Sequence, residues 1–590
     1  MEKTRPILYG VADYAEIRRA NAWFVDRTAK IRDLEATRYA VFLRPRRFGK
    51  SLLTSILEAY YDVACADRFD ELFAGTDIGA APTEERNSYL VLYFNFSAVS
   101  KDVRQVAGSF EKYAANRFDA FAEKYAQIIP GGLSEKILSS SSAEDKMNAL
   151  FSGMKGVEPG IYCIIDEYDN FTNTILAESG EAAYSALCHG DGFFKQFFTG
   201  LKTLTTSLDA PLKRLFITGV SPVTMDDVTS GFNIGTNISL WQQFADLVGF
   251  RHDDIRAMAQ YYAAVEGFDA AKTEQVCLGW FDNYRFGTIG APPIANTTLV
   301  LNFFNQIING KTWPSDYIDK NLRTDYAKIR HLLTVDRRLN DNFHAIETIV
   351  SEGSVTEQLV DSFQAKDIAK RENFVSLLYW LGITTVVGND MGTPVFGLPN
   401  AALRQIAAQM FTEAYSDACG IDQRLPAINS GLRAFAAKGT WDALLEPLLD
   451  VVRQNFAVRD AKEGEMAVAS AVSAILISAG GPYMVKRERE ANGGFYDLSM
   501  APRFDIAPKI AHAALIEMKY VKAGDPAPTP EQLEKIKKQA IEQLDQYSTD
   551  PTLAAEWHID GCGATSLPCV ALHRLVLVFH GGACVLSEEV

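Results

Sequence analysis

The sequence predicts an α/β protein, with a parallel sheet first, a mostly helical region next and a second α/β core in the C-terminal part. Apolar runs typical of strands alternate with helical patterns over residues 1–250, as in a parallel sheet with crossover helices. Residues 250–420 then carry mainly helical periodicity, and strand-rich sequence returns after residue 425. A chain of 590 residues has room for about two to four domains.

Each element is predicted from the spacing of its apolar residues. In the first part the predicted strands are 39–43, 89–96, 160–165 and 212–218, and the predicted helices are 50–62, 101–126 and 183–205. The helical region comprises 253–266, 298–308 and 371–381, followed by a β-like pair at 382–387 and 394–398. The last part has helices at 429–456, 463–479 and 530–547, strand-rich sequence at 483–520, and a final strand pair at 569–580 and 582–586.

Composition argues against several protein classes. The net charge of −16 is the wrong sign for a protein that holds nucleic acid by bulk charge, although a local basic groove stays open. No apolar run has the length of a membrane span and the first residues contain no apolar signal core, so we expect a cytoplasmic protein without membrane contact. The eight scattered cysteines form no C-x-x-C pair, which predicts reduced thiols rather than a disulfide framework or zinc site.

Residues 44–51 read Arg-Pro-Arg-Arg-Phe-Gly-Lys-Ser and end like a phosphate-binding loop. Arg44 stands where that motif has its first glycine. The apolar run 39–43 precedes the loop and a helical pattern at 52–61 follows it, which is the strand–loop–helix context that the motif requires. A basic turn without a ligand is the alternative interpretation.

If the loop binds a nucleotide, its residues have distinct roles. Backbone N–H groups around Gly49 and the helix N-terminus would face the phosphates, and Lys50 would reach the outer ones. Ser51 would hold Mg²⁺. Arg46 and Arg47, together with Arg44, would add positive charge beside the phosphates.

An acidic pair closes the third predicted strand. The apolar run 160–165 ends in Asp166-Glu167. In P-loop ATPases the aspartate of such a pair holds Mg²⁺, directly or through water, and the glutamate orients the attacking water. The alternative is that these carboxylates only cap the N-terminus of the next helix.

The fourth predicted strand, 212–218, ends in hydroxyl-bearing residues. In AAA-type ATPases such a strand carries a polar residue near the γ-phosphate, and Thr218 or Ser221 would serve in that role. A plain strand end is the alternative.

A second set of polar residues occurs in the last part of the chain. Because side chains alternate along a strand, Glu517 and Lys519 share one face of the predicted strand 514–520, where burial without a purpose is costly. If the strand that contains Asp497 pairs alongside, two carboxylates would bind Mg²⁺ or Mn²⁺, and Lys519 would orient or polarise the attacking water. Glu465 on the preceding helix would reach the same metal. A surface hairpin with an exposed Glu–Lys face is the alternative.

The helix predicted after these strands adds two polar residues. Gln543 and Tyr547 lie four residues apart and therefore on one helix face, where they would line the same groove. An amphipathic surface helix is the alternative interpretation.

Taken together, these motifs resemble, nearly end to end, a bacterial family with an N-terminal AAA-ATPase-like domain and a C-terminal PD-(D/E)XK nuclease-like domain. The matching segments are 24–28, 43–51, 165–169, 217–222, 230–233, 284–286, 374–382, Glu490, 496–498, 516–519 and the helix of Gln543 and Tyr547. The family's own loop reads R-P-R-R-F-G-K-S, so Arg44 is its norm. Residues 292–298 depart from the Asn-Pro-Trp-like stretch expected there.

The resemblance implies three domains: an AAA-ATPase-like P-loop domain at 1–255, a mostly helical lid and small middle domain at 256–424, and a restriction-endonuclease-like core at 425–590. It implies ATP and Mg²⁺, or Mn²⁺, as cofactors. The implied ATP site comprises Lys50, Ser51, Asp166 and Glu167, and the implied nuclease centre comprises Asp497, Glu517 and Lys519.

Two functions follow from this reading. The first is an ATP-binding, ATP-hydrolysing protein whose metal-dependent nuclease-like domain acts on DNA. The second is a nucleotide-dependent sensor or interaction protein whose nuclease-like domain binds a partner without cleaving it. Such ATPases often assemble because a neighbour's arginine completes the site, so a homo-oligomer through the first domain is a further expectation, with Arg214 and Arg285 as candidate arginines.

Overall fold

The computed structural model describes residues 4–190, 192–203, 205, 209–224, 227, 235–287, 290–310, 313–314, 317–318, 334–335, 338–339, 341–368, 370–419, 424–455, 465–479, 481–491, 494–504, 509–522, 524–559 and 569–590. The chain divides into two compact units. Unit one comprises residues 1–329 and 356–404, and unit two comprises residues 330–355 and 405–590. The division into 1–255, 256–424 and 425–590 stays a prediction.

Unit one contains a parallel sheet with strand order β2-β3-β4-β1-β5. The strands are β1 (Tyr39–Leu43), β2 (Leu90–Asn95), β3 (Ile161–Asp166), β4 (Leu212–Gly219) and β5 (Thr236–Asn237). Every residue of β3 is buried, because helices cover both faces of a parallel sheet. The α/β fold predicted for this part of the chain is therefore confirmed.

Helices surround this sheet. Those before β4 are Tyr14–Arg19, Lys30–Leu34, Lys50–Tyr61, Phe69–Phe73, Asp77–Ala80, Val106–Lys124, Leu133–Ser139, Ala143–Gly153, Asn170–Cys188 and Phe193–Thr203. The helix predicted over 183–205 is interrupted, because His189 is extended and Gly190 has a left-handed φ of 57°.

The helix Lys50–Tyr61 places the phosphate-binding loop against the sheet. Its buried residues Leu53, Ile56, Leu57 and Tyr60 recur at helical spacing, and the helix packs on β2 and β3. Because the carboxyl ends of parallel strands meet at one sheet edge, the loop after β1 lies at the same edge as the ends of β2 and β3.

The later part of unit one is mostly helical, as predicted. Its helices are His252–Glu266, Ala270–Phe281, Thr297–Gly310 and Arg371–Trp380. An antiparallel hairpin follows, formed by two strands at Thr385–Asp390 and Thr393–Gly397. The helix Ala401–Cys419 runs across the division between the units.

Unit two contains a mixed sheet that runs in chain order from Tyr483–Ala491 and Gly494–Pro502 through His512–Val521 and Ala571–His580 to Ala583–Glu589. His512–Val521 and Ala571–His580 are parallel, and the other neighbours are antiparallel. The helix Pro530–Ser548 packs on the two parallel strands. Its residues Ala540, Leu544 and Tyr547 share a core with Leu515 and Val576.

The remaining helices of unit two are Asp341–Glu352, Leu425–Lys438, Asp442–Asn455, Glu465–Ala479 and Pro551–Trp557. The single helix predicted over 429–456 is therefore wrong. Gly439 ends the first helix with a left-handed φ of 68°, and its N–H donates to the Phe435 carbonyl.

Candidate functional sites

The phosphate-binding loop has an unusual backbone. Gly49 has φ 98° and Arg47 has φ 71°, so both adopt the left-handed conformation, which is uncommon for a residue with a side chain. Phe48 between them is held by two aromatic rings: the centroids of Tyr284 and Phe286 lie 5.0 and 5.2 Å from it, both edge-on. The loop is thus supported from a segment that follows it by more than 230 residues in the sequence.

The Arg44 side chain is directed into the interior of the fold. Its guanidinium is fully buried and donates to the carbonyls of Leu43, Ser239 and Phe244, each at 2.8 Å. It lies 4.4 Å from the ring centroid of Phe42 and 4.3 Å from that of Phe286. Burial lowers the Arg44 pKa to about 9. The expectation that Arg44 adds charge beside the phosphates is therefore wrong: Arg44 binds the loop to residues 239–244, which follow β5.

We expect Arg44→Met to destabilise unit one by about 3 kcal/mol, because the buried carbonyls that Arg44 satisfies lose a charged donor. Methionine keeps an apolar stem between the two rings. Urea unfolding measures the change. The control is Arg256→Met, since Arg256 is half exposed and its ion pairs with Asp253 and Glu274 lie at the surface. Equal midpoints for the two variants would show that Arg44 has no special structural role.

Lys50 is buried at the start of its helix and points back over the loop. Its Nζ donates to the carbonyls of Arg44 and Pro45, both at 3.0 Å. Burial lowers the Lys50 pKa, while the charges of Glu167 and Asp166 oppose that shift. The ammonium therefore lies between the loop and the acidic pair at the end of β3.

Asp166 is fully buried at the end of β3. Burial raises its pKa to about 6, the neighbouring Glu167 adds to the shift, and a hydrogen bond with Ser51 opposes it. One carboxylate oxygen, Oδ2, accepts from Asn95 Nδ2 at 3.1 Å. The other, Oδ1, is buried without a hydrogen-bond partner among the described residues. A buried carboxylate oxygen and a nearby serine hydroxyl are oxygen ligands of the kind that divalent cations such as Mg²⁺ prefer.

Asn95 was not assigned a role from the sequence. It is the last residue of β2 and lies opposite Asp166 in the parallel register. The sequence does contain a feature that points to Asn95: a polar residue ends an apolar strand at the same sheet edge as the acidic pair.

Glu167 has a left-handed backbone, with φ 54°. Burial would raise the pKa of its carboxyl, but the charge of Lys50 and a hydrogen bond from Asn170, with smaller effects of Arg46 and Lys101, bring it below the usual value. The distance from Asn170 Nδ2 to Glu167 Oε2 is 2.8 Å. Glu167 is therefore ionised beside Lys50.

The hydroxyls of Thr218, near the end of β4, and of Ser221, just after it, are engaged within the fold. Thr218 Oγ1 donates to the Phe42 carbonyl at 2.8 Å, and Ser221 Oγ accepts from the Val223 N–H at 3.2 Å. Both residues are buried. A role for Thr218 at the γ-phosphate stays a prediction, and the bond to Phe42 disfavours it because the hydroxyl proton is already in use.

Arg214 is held within its own chain. Its Nη2 donates to the Glu35 carbonyl at 2.9 Å and pairs with the Glu85 carboxylate. It lies near the start of β4, whereas the phosphate-binding loop lies where the parallel strands end. Arg214 thus has its partners within its own chain, and a role for it in a neighbour's site stays a prediction.

A pocket of about 250 Å³ adjoins the phosphate-binding loop. Its lining includes apolar residues of the N-terminal segment, among them Leu8, Val11, Trp23, Phe24 and Val25. It also includes residues of the loop, the following helix and a later segment: Arg47, Phe48, Gly49, Lys50, Ser51, Thr297 and Thr298. Glu167 also contributes to the lining. An apolar cavity with a few convergent charged groups is the usual form of a small-ligand site.

In unit two the strands bring Asp497, Glu517 and Lys519 together. The end pair of the ladder between these two strands joins Leu498 to Ile516, and Asp497 and Glu517 follow directly beyond it. Asp497 Oδ2 accepts from the Met518 N–H at 2.6 Å, and Lys519 Nζ lies 2.7 Å from Glu517 Oε1. Glu517 is 1% exposed, so this ion pair is formed largely out of water.

The helix Pro530–Ser548 faces this centre. Burial raises the pKa of Tyr547, and the charges of Glu517 and Asp497 add to the shift, while a hydrogen bond with Gln543 opposes it. Tyr547 therefore lies near the carboxylates, and Gln543 is bonded to it on the helix face predicted from their spacing.

Some predicted positions cannot be placed. The side chains of Glu465 and Glu490 and the segment 230–233 lie outside the described residues. Within the described part of the chain, no three His, Cys, Asp or Glu side chains are grouped to hold a metal ion. For the centre in unit two, the fit to Mg²⁺ or Mn²⁺ thus rests on the hard oxygen donors of Asp497 and Glu517.

Comparison with protein families identifies two domains of the chain. Residues 8–229 match the AAA-ATPase-like family, described as predicted AAA-ATPase, and residues 463–589 match the PD-(D/E)XK nuclease superfamily. The chain joins an AAA-ATPase-like domain to a PD-(D/E)XK nuclease superfamily domain. The resemblance inferred from the motifs is confirmed. We call these regions the ATPase-like domain and the nuclease-like domain.

Among solved structures, the chain is similar to the crystal structure of a Signal Transduction ATPase with Numerous Domains (STAND) protein with a tetratricopeptide repeat sensor from Pyrococcus horikoshii. The sequence identity is 12% and the TM-score is 0.23, with 78% of this chain and 56% of that chain covered. Likeness at this level carries no argument about function. No curated protein matches the chain. None of the helices in the described ranges has both the length and the apolar character needed to cross a membrane.

Proposed function

We propose that the ATPase-like domain binds and hydrolyses ATP with Mg²⁺, and that the nuclease-like domain cleaves DNA with Mg²⁺ or Mn²⁺. The observation that carries the first half is the pocket in which apolar residues of the N-terminal segment meet Lys50 and Ser51. A pocket with an apolar part and a cationic part matches a nucleotide, whose base is apolar on its faces and whose phosphates are anionic.

The charged groups of the ATPase-like domain support distinct roles in this proposal. Lys50, now bonded to the carbonyls of Arg44 and Pro45, would exchange those partners for the outer phosphates. Gly49 would supply a backbone N–H to the phosphates, and Arg46 and Arg47 would add charge. Ser51 and Asp166 would hold the cation, for which the buried Asp166 Oδ1 is an available ligand. Glu167, ionised and beside Lys50, would orient the attacking water.

The proposed nuclease centre uses the residues at the end of the strand pair. Asp497 and Glu517 would hold the metal, with Glu465 as a further ligand, and Lys519 would orient or polarise the attacking water against the phosphodiester. The ion pair between Lys519 and Glu517 supports this role, because it fixes a cation next to a buried carboxylate. A divalent cation, when bound at either site, supplies Lewis-acid stabilisation of the charge that develops on phosphate oxygens.

The second candidate function is a nucleotide-dependent sensor or interaction protein whose nuclease-like domain binds a partner without cleavage. The net charge of −16 favours it, because a DNA groove must then be built locally. The two functions share ATP binding and differ in cleavage.

One experiment tests both halves. The purified full chain is titrated with a fluorescent ATP analogue with and without Mg²⁺, and is then incubated with single-stranded, linear and plasmid DNA, with Mg²⁺ or Mn²⁺, with and without ATP. We expect Mg²⁺-dependent ATP binding, release of phosphate and metal-dependent cleavage. ATP binding with intact DNA in every reaction would support the sensor function instead. Absence of ATP binding would overturn the proposal for the ATPase-like domain.

A further inference from the structure

The segment Asn296 to Thr298 contacts the carbonyl groups of the phosphate-binding loop, and Thr297 and Thr298 also line the pocket beside it. Asn296 Nδ2 lies 3.3 Å from the Arg46 carbonyl oxygen. Thr298 donates twice to the Arg47 carbonyl, from its N–H at 3.1 Å and from its hydroxyl at 3.0 Å. Thr297 Oγ1 donates to the Phe48 carbonyl at 2.8 Å. Three successive carbonyls of the loop are thus bound by three successive residues.

These contacts fix the orientation of three peptide groups. A trans peptide group is planar, so its C=O and its N–H point in opposite directions. When the carbonyls of residues 46, 47 and 48 are turned towards the segment, the N–H groups of residues 47, 48 and 49 are turned away from it. Successive N–H groups that point to one side make an anion-binding concavity.

The segment itself is firmly held. Asn296 is buried, and its Oδ1 accepts from the Leu299 N–H at 3.2 Å, which caps the helix Thr297–Gly310. Ala295, just before it, exchanges two backbone hydrogen bonds with Phe250, at 2.8 and 3.0 Å. The helix is anchored by its buried residues Leu299, Val300, Phe303, Phe304 and Ile307. The contacts to the loop therefore come from a rigid support.

We propose that Asn296, Thr297 and Thr298 are positioning residues that orient the phosphate-binding loop for the phosphates of ATP. The inference rests on the proposed ATP binding and adds that contacts from residues 296–298 set the backbone orientation of the loop. This support has a particular use here, because the loop has Arg44 where the motif has a glycine, and Arg44 itself is bound to other carbonyls. Because both threonine hydroxyls are bonded to carbonyls of the loop, they should matter for phosphate binding and not for base binding.

The test compares ATP with adenosine on the full chain. Thr297→Val with Thr298→Val removes both hydroxyls and keeps the side-chain shape, whereas Thr297→Ser with Thr298→Ser keeps the hydroxyls. Thr199→Val is the matched control, because the Thr199 hydroxyl donates to a helix carbonyl, that of Lys195, at 2.9 Å, outside the pocket. The dissociation constants for Mg-ATP and for adenosine are measured by calorimetry, and the melting temperature of each variant is recorded.

We expect the double valine variant to bind ATP roughly ten-fold more weakly, as for two lost hydrogen bonds, and to bind adenosine as the unmodified protein does. The serine variant should bind ATP within about two-fold of the unmodified protein. Single Thr298→Val, with a smaller loss of the same kind, replaces the double variant if the latter fails to fold.

Two results would overturn the inference while leaving the proposed function intact: unchanged ATP affinity in a folded valine variant, or an equal loss for ATP and adenosine. Failure of the unmodified protein to bind ATP is a different result, because it overturns the proposed function and this inference together.

Discussion

Replacement of Lys519 with alanine is expected to reduce metal-dependent DNA cleavage by at least about 100-fold, the effect seen when a preorganised group that stabilises developing charge is removed. Lys519 Nζ is the cation bound to the buried Glu517, so the substitution removes the group proposed to orient or polarise the water. It also leaves Glu517 without this ammonium. Cleavage of supercoiled plasmid with Mg²⁺ or Mn²⁺, followed over time on gels, measures the effect.

The chain offers a closely matched control for Lys519→Ala. Lys537 Nζ pairs with Glu588 at 2.7 Å, the same distance as in the Lys519–Glu517 pair, and the two lysine side chains are 18% and 22% exposed. Lys537→Ala should therefore leave cleavage unchanged. Equal cleavage by both variants, each with an unchanged melting temperature, would contradict a role of Lys519 in the reaction.

Asp497→Asn separates metal binding from folding at the same centre. The asparagine keeps an oxygen that can accept the Met518 N–H and loses the negative charge that attracts the cation. We expect strongly reduced cleavage, partly recovered at higher Mn²⁺, with little change in unfolding. Full activity at low Mg²⁺ would show that Asp497 is not a metal ligand.

The sequence-based predictions succeeded where the pattern is local. The helix after Lys50 and the acidic end of β3 follow from apolar spacing over about ten residues. The shared face of Glu517 and Lys519 follows from strand alternation alone. Each of these features is determined by residues that are close together in the sequence.

The features that the sequence did not reveal depend on distant partners. Arg44 is buried because Ser239, Phe244 and Phe286 surround it, about 200 or more residues further along the chain. The bond from Asn95 to Asp166 depends on the register of two strands that are separated by several helices. Helix ends at Gly190 and Gly439 were missed because a glycine within an apolar pattern is compatible with both continuation and termination.

Replacement of Lys50 with methionine is expected to weaken ATP binding by at least about 100-fold, since the proposed site loses a buried ammonium that faces both the loop and the acidic pair. The loss should be large for ATP and absent for adenosine, because Lys50 is proposed to contact only phosphates. Titration of the full chain with a fluorescent ATP analogue, competed by each ligand, measures both.

Lys146→Met is the appropriate control, because Lys146 is also a buried lysine whose Nζ donates to two backbone carbonyls, those of Ile137 and Leu138. It does not line the pocket, so its removal should lower stability and leave the ATP affinity of the folded protein unchanged. If Lys50→Met retained the affinity of the unmodified chain, the phosphate-binding role of the loop would be refuted. If Lys50→Met instead lost ATP binding while DNA cleavage persisted at its full rate, the two domains would act independently, because nucleotide at the loop would have no influence on Lys519.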